Sequence, residues 1–148
     1  MSSGEEPCYE LTLHVRDTCL CLHLQRAARA VARRFDLAFR RLDLTSGQFS
    51  LLMSLNRPEP GTIGAVSALL AMDRTTLTAN LKPLERRGLV EVIIDKADRR
   101  SRRLILTPAG RVLLAAAAPV WRETHAAIEC LIAENEPQRL RADLRALS

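Results

Sequence analysis

Residues 95–103 read DKADRRSRR, setting Lys96, Arg99, Arg100, Arg102 and Arg103 beside the carboxylates Asp95 and Asp98, between the apolar stretches VEVII and LILT. Alone, such a run is usually a solvated loop; between two strands it can bind anions. A guanidinium is weakly hydrated and forks onto phosphate oxygens, and it is favoured over ammonium where a DNA minor groove narrows. A second set precedes it in DRTTLTANLK, where Arg74, Thr75, Thr76, Thr78, Asn80 and Lys82 offer donors and methyl groups suited to base edges and phosphates.

The thiols are the other reactive groups: Cys8, Cys19, Cys21 and Cys130. No Cys-x-x-Cys pair suggests structural zinc, and Cys19 and Cys21, two apart on a helix, would point to opposite sides and resist bridging. Cys19 and His23 have a spacing that a metal could use, but two such ligands arise often by chance, so no metal or other cofactor is expected. The chain has no P-loop, Gly-x-Ser-x-Gly, His-Glu-x-x-His or Gly-x-Gly-x-x-Gly pattern, and a non-enzymatic role is expected. A thiol peroxidase using Cys21 is the catalytic alternative, and a protein-interaction module the non-catalytic one.

The basic groups need elements to position them. TIGAVSALLAM and DRTTLTANLKPLERRGLV give two helical patterns so close together that they must cross sharply, with Asp73 to cap the second and Gly88 to end it. Residues 89–94 and 103–107 have strand composition, with the arginine run as their hairpin loop. A helix-turn-helix followed by such a hairpin is a winged helix, which suits duplex DNA: a helix for the major groove and a basic loop for the minor groove. Upstream, Thr45 and Gln48 have capping-box spacing before SGQFSLLMSLN, and Arg57-Pro58-Glu59-Pro60-Gly61 reads as a turn.

Long helices flank this unit. From Thr12, apolar residues Leu20, Leu24, Ala27, Val31, Phe35, Ala38 and Leu42 recur at steps of four and three, predicting one helix to about residue 43, too long for one compact core and suited to packing on another chain. Pro108 starts a helix reaching about Glu134 with a bend at Pro119, and a last helix covers 137–147. The fold class is therefore mainly α with a small β-hairpin.

At 148 residues, one domain is expected over 1–148, with dimerisation helices at 12–43 and 108–148 and a DNA-binding lobe at 45–107. Residues 74–103 hold nine Lys or Arg against four Asp or Glu, a surplus matching the whole net charge of +5, so one region carries the basicity. Without a signal-peptide pattern or a spanning apolar run, the expected location is cytoplasmic, with no membrane partner.

The segments LTSGQFSLLMSL, MDRTTLTANLKPLERRGLV and DRRSRRLILTPAG, with the long helices at both ends, resemble the MarR family of transcription regulators. The resemblance implies a homodimer with interlocked terminal helices that sets two winged helices on successive major grooves of a pseudo-palindromic double-stranded operator. By similarity, Thr75 and Thr76 read the major groove, Arg100 enters the minor groove, and Asp98 pairs with Arg102; Lys96, Arg99 and Arg103 are left for phosphates. Ala79 departs from the pattern, standing where many relatives carry arginine. Repression released by a small-molecule effector is implied, with Leu20, Leu24, Arg29, Phe49, Met53, Val112 and Trp121 as candidates for its cleft. Cys21 is placed like the reactive cysteine of the organic-hydroperoxide-sensing branch, with Cys130 as a resolving thiol, although Phe35 and Ser46 stand where that branch keeps tyrosines.

Overall fold

The computed structural model describes residues 6–132, 134 and 136–148. Among these residues, seven α-helices and three short strands follow in the order α1 (Tyr9–Thr18), α2 (Leu20–Phe39), α3 (Ser46–Leu55), β1 (Gly61–Thr62), α4 (Ile63–Leu70), α5 (Arg74–Arg86), β2 (Val90–Ile94), β3 (Arg102–Leu106), α6 (Pro108–Cys130) and α7 (Pro137–Ala146).

The expected first long helix is two helices. Cys19 adopts an extended backbone (φ −69°, ψ 109°), ending α1 and capping α2. Its N–H donates to Val15 O at 3.0 Å, while its carbonyl accepts the first bond of α2 from His23 N at 3.1 Å and lies 2.8 Å from His23 Nδ1, so a proton on Nδ1 adds a second bond to the same oxygen. No glycine or proline marks the place. Cys19 is thus outside the helix that holds Cys21, and the opposite-sides argument about their spacing does not apply.

Capping chemistry sets the following elements. The hydroxyl of Thr45 accepts from Gln48 N at 3.2 Å while Gln48 Oε1 accepts from Thr45 N at 3.1 Å, the reciprocal box that starts α3. Thr62 and Asp73 accept from Ala65 N and Thr76 N to start α4 and α5. Between those two helices Ala71 takes a left-handed conformation, φ 49°, giving the sharp turn. Gly88, at φ 70°, ends α5 as its lack of Cβ allows. Thr107 caps α6, where Pro108 holds the first position and Pro119 sits within an uninterrupted helix. That helix ends at Cys130, short of the expected Glu134; position 133 lies outside the described residues.

The hairpin pairs Val90 with Leu106 and Ile94 with Arg102, antiparallel. A further strand escaped the sequence reading: Gly61 and Thr62 pair with Leu104 and Arg103, making the order β1-β3-β2. One core joins the lobe to the long helices. Leu51, Leu52, Val66, Leu77, Leu84, Val90 and Leu104 are fully buried between helices and sheet, and Phe35, Phe39 and Phe49 stack in series at 5.9 and 4.8 Å to tie α2 to α3. By contrast α1 and α7 bury nothing, leaving Tyr9, Leu11, Val15, Leu140, Leu144 and Leu147 exposed.

Arg87, just after α5, spans the fold. Its guanidinium donates to the carbonyls of Asp43 and Leu42, in the turn that ends α2, the latter at 3.2 Å. Asp36 of α2 also accepts from Ser46 N at 2.7 Å, so the ends of α2, α3 and α5 meet in one polar cluster.

Candidate nucleic-acid interface

Leu77, Leu81 and Leu84 bury one side of α5. At roughly 100° per residue the opposite side carries Thr75, Ala79, Lys82 and Arg86, all exposed. Arg86 was missed by sequence reasoning, although steps of four, three and four from Thr75 would have reached it. Arg74 and Thr76 are exposed at the first turn, where the Thr76 hydroxyl donates to Asp73 Oδ2 at 2.9 Å. That hydroxyl and the Thr76 N–H hold the Asp73 carboxyl below its usual range, the N–H bond first.

Two nominated groups face elsewhere. Asn80 is half-buried, with Nδ2 donating to Thr76 O at 3.0 Å and its amide lying over Gly47, where an added Cβ would come within 2.7 Å of Oδ1. Thr78 is half-buried too, its hydroxyl returned to Arg74 O at 2.8 Å. Asn80 lies toward the buried side of α5 and Thr78 on its flank with its hydroxyl engaged by the backbone, so the outward face is narrower than the sequence suggested.

The loop between β2 and β3 holds its shape differently from the expected Asp98–Arg102 pair, which does not form. Asp98 Oδ1 accepts from Arg100 N at 3.0 Å, and Arg102 Nη1 donates to the carbonyls of Arg99 and Ser101 at 3.0 and 3.3 Å. Each side chain braces the backbone separately. The ion pair of the hairpin is Asp95–Arg103, with Nε 3.1 Å from Oδ2, and Arg103 Nη1 also reaches Pro60 O at 2.7 Å. Arg103 is therefore committed to structure rather than free for a phosphate. Asp95 is buried, and its carboxyl is held below the usual range first by Arg103 and then by the Ala97 N–H. Lys96, Arg99 and Arg100 are exposed, and among the described residues the guanidinium groups of Arg74 and Arg100 have no hydrogen-bond or ion-pair partner.

Helix and loop meet in a crevice of about 290 Å³ lined by Ile63, Gly64, Ser67, Arg74, Asp98, Arg100, Ser101 and Arg102. The start of α5 and the tip of the hairpin thus share one face, as two surfaces addressing adjacent grooves of one duplex must.

The expected effector cleft comes together only in part. Phe49, Met53 and Trp121 line a largely apolar groove of about 580 Å³ with Leu69, Leu70 and Arg122. Leu20 and Val112, 70% and 71% exposed, do not line it, nor do Leu24 and Arg29. The groove opens between α3, α4 and α6, whereas those four residues lie on α2 or at the start of α6 facing outward. Trp121 stacks on His125 at 4.7 Å, His125 Nε2 is 3.2 Å from Glu129 Oε1, and Glu129 pairs with Arg141 of α7. Arg141 foremost holds the Glu129 carboxyl below its usual range.

Cys21, in the first turn of α2, is exposed and accepts a hydrogen bond from Gln25 Nε2 at 3.3 Å. Cys130 is exposed at the end of α6. No group of three or more metal-ligating side chains occurs among the described residues, and no helix there is long and apolar enough to cross a membrane.

A helix-turn-helix, an arginine-tipped hairpin on the same face and long flanking helices define a winged-helix protein of the regulator type. Residues 44–101 match the MarR family model. The chain is 36% identical to the M. tuberculosis transcriptional regulator MosR in its complex with DNA, with a TM-score of 0.79 over 88% of this chain and 93% of that one. It is 30% identical over 91 residues to the transcriptional regulator SarZ of Staphylococcus haemolyticus, covering 62% of each chain. It is also 30% identical over 94 residues to the organic hydroperoxide resistance transcriptional regulator of Bacillus subtilis, covering 64% of each. These alignments span less than two thirds of the two curated relatives. The chain belongs to the MarR family of transcription regulators.

Proposed function

We propose that the chain is a sequence-specific DNA-binding repressor that acts in the cytoplasm as a homodimer and leaves a pseudo-palindromic operator when a small-molecule effector binds. The observation that carries this is the crevice that Arg74 of α5 shares with Arg100 and Arg102 of the wing, since it fixes helix and wing on one face. Thr75, Thr76, Lys82 and Arg86 address the major groove and its phosphates, and Arg100 addresses the minor groove. The uncovered apolar side chains of α1 and α7 support pairing with a second copy, and the similarity to a regulator solved in complex with DNA supports the partner. Effector binding falls to the groove lined by Phe49, Met53 and Trp121.

Fluorescence anisotropy with a duplex recovered by selection from a random-sequence library tests this reading. With about six to ten phosphate contacts per dimer, affinity falls by about three to five decades between low and moderately high salt. Flat salt dependence, or equal affinity for scrambled duplex, would refute it.

A second reading rests on Cys21, an exposed thiol with an amide donor on its sulfur in a chain similar to a hydroperoxide-resistance regulator. Here organic hydroperoxide oxidises Cys21, and Cys130 of the second copy resolves it. Release of DNA by hydroperoxide from wild type but not from Cys21→Ser is the expected result; equal release from both excludes it.

A further inference from the structure

We propose that the crevice between α4, the start of α5 and the wing tip seats a single phosphate of the DNA strand that separates the two grooves, held jointly by Arg74 and Arg102. This rests on the DNA-binding reading above and names the contact that sets the register between helix and wing.

The lining carries three guanidinium groups against one carboxylate. Asp98, whose Oδ1 accepts from the Arg100 N–H in shaping the loop, offsets one of these charges and leaves a surplus of two. Arg102 spends Nη1 on two carbonyls of the tip, which aims the rest of its fork, while Arg74 has no partner among the described residues. Fixed and free cations facing one concavity suit a compact tetrahedral anion. The far wall is Gly64, near the N-terminus of α4, where an added Cβ would meet nothing within 4 Å, so a strand can approach the backbone there. A phosphate in this seat fixes Arg100 at the mouth relative to α5, and the spacing between major-groove and minor-groove contacts is then a property of the crevice.

The test is the salt dependence of DNA affinity in wild type, Arg74→Gln, Arg102→Gln and the double variant. If both residues serve one phosphate, the double variant lowers the slope of log affinity against log salt by about 0.9 per winged helix, the share of one phosphate. A drop about twice as large means separate phosphates, and no drop means no phosphate; either overturns the proposal. Gly64→Glu supplies an independent arm. Its carboxylate is favoured near a helix N-terminus, so thermal stability is kept, yet it fills the seat with like charge and lowers DNA affinity by at least about tenfold. Gly64→Gln, equal in size and neutral, loses far less; equal loss in both indicates mere obstruction and overturns the proposal. Inorganic phosphate is the other source of the same group. If phosphorus NMR at fixed ionic strength shows it bound to wild type while the double variant keeps the full salt slope, the seat serves a free anion and not the strand. Absence of salt-dependent binding by wild type would instead remove the DNA-binding reading itself.

Discussion

Arg103 bridges the base of the wing: its Nε lies 3.1 Å from Asp95 Oδ2 and its Nη1 2.7 Å from Pro60 O, tying the hairpin to the strand that precedes α4. Because the folded state depresses the Asp95 carboxyl, its stabilising contribution is complete above the ordinary aspartate value of about 3.9 and is lost as pH falls below that toward the depressed value. Asp95→Asn should therefore flatten part of the acid limb of stability, measured as urea midpoints across pH, and should loosen the wing enough to weaken DNA binding at neutral pH.

Arg100→Ala should leave the fold intact, since the side chain is exposed and without a partner among the described residues. DNA binding should weaken by about 1–3 kcal/mol, with discrimination relaxed at the positions flanking each half-site. Competition titrations against half-site variants measure both effects; unchanged affinity would leave the wing a solvated turn.

Gly110 is a packing position. A Cβ there would collide with Leu89 O and come within 2.7 Å of Leu106 Cδ1, where the start of α6 crosses the sheet. Gly110→Ala should cost about 1–3 kcal/mol or more, read from thermal or urea unfolding.

Trp121 is the sole tryptophan and lines the apolar groove, so its emission reports occupancy directly. An effector that releases DNA should change Trp121 fluorescence with the same midpoint as release, and Met53→Phe, which puts a ring into the groove without adding a second indole, should blunt both. Release without any change in emission would put the effector elsewhere.

The capping residues Thr45, Gln48, Asp73 and Gly88 were legible because a cap is local, with its partners within a few residues. The break at Cys19 was not, because no glycine or proline stands there and the bonds from His23 and to Val15 that stabilise it use residues common inside helices. The wing's composition was plain, but its pairing depends on register: Ile94 opposite Arg102 sets Asp95 where Arg103 reaches it and leaves Asp98 to the backbone. Only part of the groove was foreseen, since an apolar stripe does not say which neighbour each residue will face. Leu20 and Val112 read as cleft candidates but lie on open surface.

The clamp at Arg87 removes slack from the molecule. One guanidinium holds two carbonyls at the foot of α2 while its own backbone terminates α5, so no pliant linker separates the two helix ends. A tilt of α2 must either break those bonds or carry the end of α5 with it. The aim of the outward face on α5 is thus inherited from the long helix, in the manner of a hand fixed to a forearm without a wrist.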